Sequence, residues 1–538
     1  MTIPMLDLII IVAYLIGITA IGMLSVRRQK VTGEVYFLAG RALPWTIVGA
    51  ALFASNISAI HMVGLAESGY LVGLVVGNYE WMATFSLILL ALVFAPFYFK
   101  SRISTLPEFL DRRYSPHCRT IMAFMAILSA MLIHIGFTLY AGATVFKEFF
   151  GVDVTTSIIV IAILTALYTV MGGLRAVVVT ETLQSVILLT GAVAVTTLAL
   201  MALPAAGITS WTDFRAAVKP HQLSMLHADN SDGNGWYSFI LGFPILGIWY
   251  WCTDQTIVQR VLGARSQRDA QHGALFTGAL KILPVFLMVF PGVIGYVLFK
   301  DLIGNKPERT FAVMVNMLVP TGLKGLVAAS ILAAAMSGTA AAMNSIGTLV
   351  AMDIVKHFRP RTTDRTLVRI GGVSTVVVMI LAMIWSTQAG KYFSSIFEAI
   401  NKMPAEFLAP PLTTLFVWGV FWRRATKEAA LTTLIFGFSL GLVEFIVDLP
   451  AFGQTKWITT YLGIPFLMQA WWNFCLCSLV LVVVSLVTPK PDPAVVDALT
   501  WPNPLRVISQ GALTGATDPR VIAAVLTVVM IVLYVIFH

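Results

Sequence analysis

Ala54-Ser55-Asn56-Ile57-Ser58-Ala59-Ile60-His61, running on through Gly64 and Gly69 to Tyr70, is a polar interruption inside an apolar segment long enough to cross a bilayer. Hydrocarbon offers no hydrogen-bond partner, so polar, non-helical backbone at that depth is tolerated only where it lines a buried or watery cavity. A helix broken there bares carbonyl oxygens that can coordinate a cation near the midplane. Ser, Asn and Gly also pack and hydrogen-bond between membrane helices, and the stretch alone leaves both uses open.

The surrounding composition places this stretch in a polytopic membrane protein. Of 538 residues, 58% are hydrophobic and only 11% charged, too few charges for a soluble chain of this length. The formal charge of +9 suggests cytoplasmic loops. No basic run interleaved with aromatics points to a nucleic-acid partner. Cys118, Cys252, Cys475 and Cys477 show no metal-ligand spacing, and Cys475-Leu476-Cys477, on one apolar helix, reads as a pair of inert thiols. Met1 to Met23 lacks a basic n-region and a small-residue cleavage site after it, carries Asp7 and has its positive charges behind it, so it is expected to be a retained first membrane helix rather than a signal peptide.

Apolar runs near spanning length fall at 5–24, 44–70, 75–99, 117–148, 154–173, 178–203, 237–262, 272–300, 322–355, 366–387, 395–422, 428–448, 464–488 and 520–537. The expectation is an all-α polytopic protein of about fourteen transmembrane helices. Basic residues fall on alternate loops: Arg27, Arg28, Lys30 and Arg41; then Lys100, Arg102, Arg112 and Arg113; then Arg175; then Arg260, Arg265 and Arg268; then Lys356, Arg359, Arg361 and Arg365; then Arg423, Arg424 and Lys427. That alternation predicts basic loops in the cytoplasm and both termini on the outer side. The outer loop 204–236, with Asp213, His221, His227, Asp229 and Asp232, is expected to hold short helical pieces. The stretch 489–519, with Pro489, Pro491, Pro493, Pro502 and Pro504, reads as an irregular connector.

Ionisable groups at membrane depth are costly and face the bundle interior. They are His61, Glu80, His134, Glu181, Asp254, Lys281, Lys402 and Glu406. Glu80 and Lys281 have opposite signs; they either neutralise each other or serve a hydroxylated solute as acceptor and donor. His61 and His134 are hydrogen-bonded structural residues or proton relays. Asp254 is expected to pair with Arg260, and Glu181 to sit near a helix start where the dipole favours an acid. A second helix break is expected at Gly242, Pro244 and Gly247, ahead of Trp249-Tyr250-Trp251. The small-residue run Ala333 to Ala342, with Ser337-Gly338-Thr339, permits close backbone approach, to the first broken helix or in plain packing.

Taken together these segments resemble the solute:sodium symporter family, most closely its sodium/sugar branch. The resemblance rests on Ala54 to Ala59 with Gly64 and Gly69-Tyr70, Tyr79-Glu80-Trp81-Met82, Pro107-Glu108-Phe109, Tyr250-Trp251, Gln255 with Gln259-Arg260, and Lys281 with Pro291-Gly292. Met343-Asn344-Ser345, Met352-Asp353, Leu408-Ala409-Pro410-Pro411 and Phe421-Trp422 complete it, in order, as far as about residue 425. It implies one transporter domain over 1–538: an extra helix at 5–24, inverted five-helix repeats at 44–203 and 237–422 in the LeuT-like manner, and extra helices at 428–538.

The resemblance further implies a Na+ ion held by carbonyls of Ala54 and Ile57 and by Ala334 and Ser337. A second hydroxyl usual in the family is replaced by Gly338, with Thr339 or water as substitutes. Solute-contacting positions would be His61, Glu80, Ala83, Gly247, Tyr250, Lys281 and Lys402. Of these, Glu80, Lys281 and Tyr250 match the family pattern, and His61, Ala83, Gly247 and Lys402 depart from it. Tyr250 would cover the solute on its inner side, with Asn56 and Tyr79 as further gate residues. His61 and Lys402 beside Lys281 would tilt the site positive, which makes an acidic sugar such as a uronate a candidate beside a neutral sugar or polyol. The implied activity is sodium-driven import of a small polar solute across the plasma membrane, the inner membrane in a bacterium, in contact with lipid. A membrane solute sensor or a sodium-independent transporter on the same scaffold is the competing reading. No nucleophile–base pair, metal cluster or phosphate loop points to an enzyme. Neither the exact solute nor the oligomeric state is legible here.

Overall fold

The computed structural model describes residues 4–26, 32–228, 233–392 (389–392 by backbone alone), 401–448, 457–501, 509 and 512–538. Arg27, Arg28, Lys30, Asp229, Asp232, Pro502, Pro504 and the start of the run expected from 395 lie outside them. The described residues contain helices and two isolated β-bridges, with no strand. Ten helices are individually long and apolar enough to cross a membrane, or eleven with one bent pair taken as a single span.

The difference from fourteen has physical causes. Val154–Ala202 covers two expected runs, 154–173 and 178–203. Unbroken, its 49 residues would extend about 74 Å, more than twice a hydrocarbon core. Gly173 divides it, at φ 56° and ψ −152°. The run expected at 237–262 consists of shorter pieces, Trp236–Leu241, Phe243–Ile248, a π-helical turn Trp249–Thr253 and Gln255–Leu262. Of the run expected at 395–422, the described part is residues 401–422.

The first break falls in the stretch singled out above. Trp45–Asn56 and Ala59–Val72 meet at 60°. Between them Ile57 (φ −74°, ψ 110°) and Ser58 (φ −107°, ψ 173°) are extended. The second break is not at Gly242, which keeps helical angles (φ −84°, ψ −42°). It is at Asp254, extended at φ −81° and ψ 124°, whose side chain caps the following helix by accepting from Thr256 N–H at 2.6 Å. Gly242 serves packing instead: a Cβ there would stand 2.0 Å from the Leu467 carbonyl oxygen.

Leu323–Thr348 is the central helix. From Val327 to Thr348 every residue is buried, which the small side chains of Ala333 to Ala342 make feasible. Elsewhere two backbones touch: a Cβ on Gly69 would lie 2.2 Å from the Val289 oxygen, and one on Gly292 2.0 Å from the Ala66 oxygen. Pro519–Ile536 packs against the bundle, where Tyr534 Oη donates to Asn78 Oδ1 at 2.7 Å and, just past the helix, the Phe537 carbonyl accepts from Met225 N–H at 2.6 Å. The loop 204–236 holds the expected short helix, Trp211–Ala217. The connector after residue 488 is less irregular than expected, since Asp492 caps a helix at Pro493–Leu499.

Candidate functional site

A cavity of about 930 Å³, counting its open mouth, lies between the first break and the aromatic run that precedes the second. That is room for a small solute. Its polar wall comes from Asn56, Ser58, His61, Glu80, His134 and Thr138, and its aromatic wall from Tyr79, Phe243, Trp249, Tyr250 and Trp251. Gly338, Asn401 and Pro404 also line it.

Glu80 is the buried acid of the cavity, 2% exposed. Lys281, 1% exposed, stands behind it and donates both to Glu80 Oε2 and to Asn56 Oδ1. The ammonium also lies over the Trp251 ring, 5.5 Å from its centroid. Asn56 Nδ2 donates in turn to Tyr250 Oη at 3.2 Å. One asparagine in the first break thus links the ion pair to the aromatic residue beside the second break. His61 is fixed by its own helix start: Nδ1 accepts from Ser58 N–H at 3.1 Å, so the proton of the neutral ring sits on Nε2. That Nε2 is 3.6 Å from Glu80 Oε1. The polar cluster thus sets the acid Glu80 against the amine Lys281, with hydrogen-bond donors and acceptors turned to an aromatic chamber. Such a chamber suits hydroxyl groups presented on an apolar ring face.

Beside it lies an oxygen cluster. Ser337 Oγ is 2.9 Å from the Ala54 carbonyl oxygen and 3.1 Å from that of Ala334. Ala54, Ile57, Ala334 and Ser337 are all buried. An all-oxygen set of carbonyls and a hydroxyl fits a hard monovalent cation rather than a soft metal. Gly338 is not held by a clash: a Cβ would be at ordinary contact distance, 3.7 Å from the Ser55 carbonyl oxygen and 3.8 Å from Thr138 Cγ2. Thr339 Oγ1 is buried with no hydrogen-bond partner among the described residues.

Several expected positions lie elsewhere. Lys402 turns away from the cavity to the Asp448 carboxylate, with Glu406 Oε1 at 3.6 Å. It therefore adds no positive charge beside Lys281, because an ammonium at membrane depth binds the acids nearest to it. Ala83 is buried but contributes nothing to the cavity wall, whereas Gly247 and Tyr79 are part of it. Asp254 does not pair with Arg260. It caps its own helix and lies 3.3 Å from His134 Nε2. Arg260 goes to Glu181 instead, Nη2 to Oε1 at 2.6 Å, and Ser55 Oγ donates to the same oxygen at 2.9 Å. The helix dipole is thus not what stabilises Glu181. His134 and Thr138 were absent from the expected solute-contacting set. Their spacing of four puts them on one face of an apolar helix, a signal the sequence does carry.

The model of the sodium:solute symporter family matches residues 36–437. The sodium/myo-inositol cotransporter 2 of Oryctolagus cuniculus is 32% identical over 95% of this chain and 81% of its own length. The sodium/mannose cotransporter SLC5A10 of Bos taurus is 34% identical over 95% of this chain and 91% of its own. Among solved structures, the substrate-bound outward-open state of a Na+-coupled sialic acid symporter superposes with a TM-score of 0.73 at 21% identity, covering 91% of this chain and 99% of that one. Mhp1, a nucleobase-cation-symport-1 family transporter in a closed conformation, superposes at 0.53 and 14% identity, over 86% and 97%. At these identities the likeness is one of fold. The architecture is the inverted five-plus-five helix arrangement, LeuT-like, with additional helices at both ends.

Proposed function

We propose, for a chain that belongs to the sodium:solute symporter family, that it imports a neutral polyhydroxylated solute, a sugar or a cyclitol. As a member of that family it is a multi-pass membrane transporter with Na+ as the co-transported ion, and not an enzyme. The observation carrying the proposal is the first break itself. Its residues alternate between the two clusters: Ala54 offers its carbonyl beside Ser337, while Asn56 holds Lys281 and Tyr250. Na+ bound to Ala54, Ile57, Ala334 and Ser337 would fix the backbone from which Asn56, Ser58 and His61 face the solute. Ion and solute would thereby stabilise one conformation together, the requirement for coupling.

Neutrality follows from the charge balance. With Lys402 held by Asp448, the case for an acidic sugar loses its second lysine, and Glu80 offsets Lys281. Glu80 and His61 are suited to accept from and donate to hydroxyls, and Tyr250 and Trp249 to cover a ring. The relatives named for myo-inositol and mannose support this class. In our reading the repeats 44–203 and 237–422 rock about the cavity, the basic loops face the cytoplasm, both termini lie outside, and the membrane is the plasma membrane or a bacterial inner membrane. Each positive charge entering down 100 mV contributes about 2.3 kcal/mol toward accumulation.

The test is uptake into proteoliposomes of labelled myo-inositol, mannose, glucose, glucuronate and sialic acid, with and without an inward Na+ gradient. Sodium-stimulated uptake of one of the three neutral compounds is expected. Preference for glucuronate or sialic acid would refute the charge argument, and uptake indifferent to sodium would refute the coupling.

A further inference from the structure

Gln259 belongs to the helix that follows the second break and is fully buried. Its Nε2 donates twice, to the Phe37 carbonyl at 2.7 Å and to Thr348 Oγ1 at 2.7 Å. These partners lie on two other parts of the transport machinery. Thr348 ends the central helix that bears Ser337. Phe37 lies in the short helix Gly33–Leu38, on a strap that leads directly into Trp45–Asn56 and its Ala54 carbonyl. One neutral amide joins three elements.

The strap is fastened to its surroundings at several points. Tyr36 Oη donates to the Val170 carbonyl at 2.8 Å, Gly33 N–H to Asp364 Oδ2 at 3.0 Å, and Leu43 N–H to the Gly263 carbonyl at 3.1 Å. Ala39 (φ 51°) and Arg41 (φ 49°) are held in the left-handed region that side-chain-bearing residues avoid. Strain of this kind persists where the surroundings over-determine it, and it gathers at switch regions. Against the strap opens a second cavity of about 630 Å³, bordered by Glu34, Arg41, Thr348, Met352, Lys356 and Asp364.

Near Gln259 and Thr348 along their two helices, several polar atoms are left unsatisfied. Asn344 Nδ2, Ser345 Oγ, Gln255 Nε2 and Gln259 Oε1 are buried and have no hydrogen-bond partner among the described residues. Asn344 and Ser345 lie within one turn of Thr348, and Gln255 one turn before Gln259. Buried polar atoms are nearly always paired. Unpaired ones on each of the two helices that Gln259 and Thr348 join fit segments that hydrate when those helices part.

We propose that Gln259 is the bolt of the cytoplasmic exit, a positioning residue whose two hydrogen bonds hold the strap, the post-break helix and the central helix together between the solute cavity and the strap-side cavity. The assignment rests on the orientation proposed above, with the basic loops inside. A neutral amide is suited to the task. Parting it from Phe37 and Thr348 exposes no charge, whereas parting the neighbouring Arg260 from Glu181 would strand two.

Ser345→Cys supplies a reporter at a buried position one turn from Thr348, the bolt's partner. Its labelling by a membrane-impermeant methanethiosulfonate is measured from each face of oriented proteoliposomes containing Na+. The same chain without the reporter gives the background of the four native cysteines. Q259L removes both donated hydrogen bonds. T348V removes one acceptor, preserves the shape of the side chain and leaves the Phe37 bond in place, so it tests the proposal even if Q259L fails to fold. We expect Q259L to speed labelling from the cytoplasmic face at least tenfold, T348V to speed it less, and the double variant to add nothing beyond Q259L. Equal rates in the reporter chain and in both variants would overturn the proposal. Acceleration confined to the outer face would also overturn it, while leaving sodium-driven uptake intact.

Discussion

Glu181 and Arg260 are mutual partners with no exposure at all: Arg260 Nη2 donates to Glu181 Oε1 at 2.6 Å and Nε to Oε2 at 3.3 Å. Ser55, one residue after Ala54, donates to the same Oε1. The pair ties the first broken helix to the second through a third helix. Removing one member of a buried ion pair leaves an uncompensated charge and costs about 3–5 kcal/mol. E181Q and R260M should each lower the thermal midpoint of the detergent-solubilised protein strongly. The double variant E181L/R260M should recover part of the loss, because no charge is left stranded. Additive losses would show that the two residues do not act as a pair.

Glu80 and Lys281 form the charge pair of the solute cavity. E80Q and K281M should each reduce uptake by at least a hundredfold while the protein remains in the membrane fraction. Surface quantification alongside initial-rate uptake separates the two effects. Retention of uptake by both variants would remove the pair from the site.

At the proposed cation cluster the prediction runs in both directions. S337A should raise the sodium concentration for half-maximal uptake severalfold, since it removes an oxygen beside Ala54 and Ala334. Gly338→Ser should lower it, because a Cβ there would meet its neighbours at ordinary contact distance, 3.7 Å at the nearest, and its hydroxyl would add an oxygen next to Ser337. Sodium activation curves at saturating solute check both. An unchanged curve in S337A would show that this helix does not hold the ion.

Lys402 gives the contrasting case. Its ammonium is taken up by Asp448 on the side away from the cavity, so K402A should weaken stability and leave solute selectivity alone. A competition panel of neutral and acidic sugars against the labelled solute measures this. A switch of preference in K402A would put the residue back into the site.

Much of this was legible in the sequence, and the exceptions have physical causes. The break at Ile57 and Ser58 was readable because polar residues crowd an apolar run and few other structures tolerate them there. The second break was anticipated in the right segment but at the wrong residue. Gly242 and Pro244 look like breakers, yet Pro244 occupies the first turn of Phe243–Ile248, where a proline costs little. The actual break is made by Asp254, whose capping role depends on a helix start that composition does not reveal. Lys402 was misplaced because the side of a helix on which a charge finds its partner depends on Asp448, 46 residues onward. Glu181 with Arg260 and Gln259 with Phe37 are likewise contacts between distant segments, and local pattern carries no trace of them.

The contact of Gly69 with Val289 and of Gly292 with Ala66 has a bearing on inheritance. Each glycine sits where a single added carbon would fall within 2.2 Å of a carbonyl oxygen on the opposing helix, and neither clash can be relieved by turning a side chain. The segments on which they lie, 59–72 and 290–303, carry none of the residues proposed to hold the ion and, apart from His61, none proposed to touch the solute. An allele that replaces either glycine, even by alanine, would therefore present as a transport defect in a chain whose binding residues are all intact. Screening for harmful variants by proximity to the solute would pass over both codons.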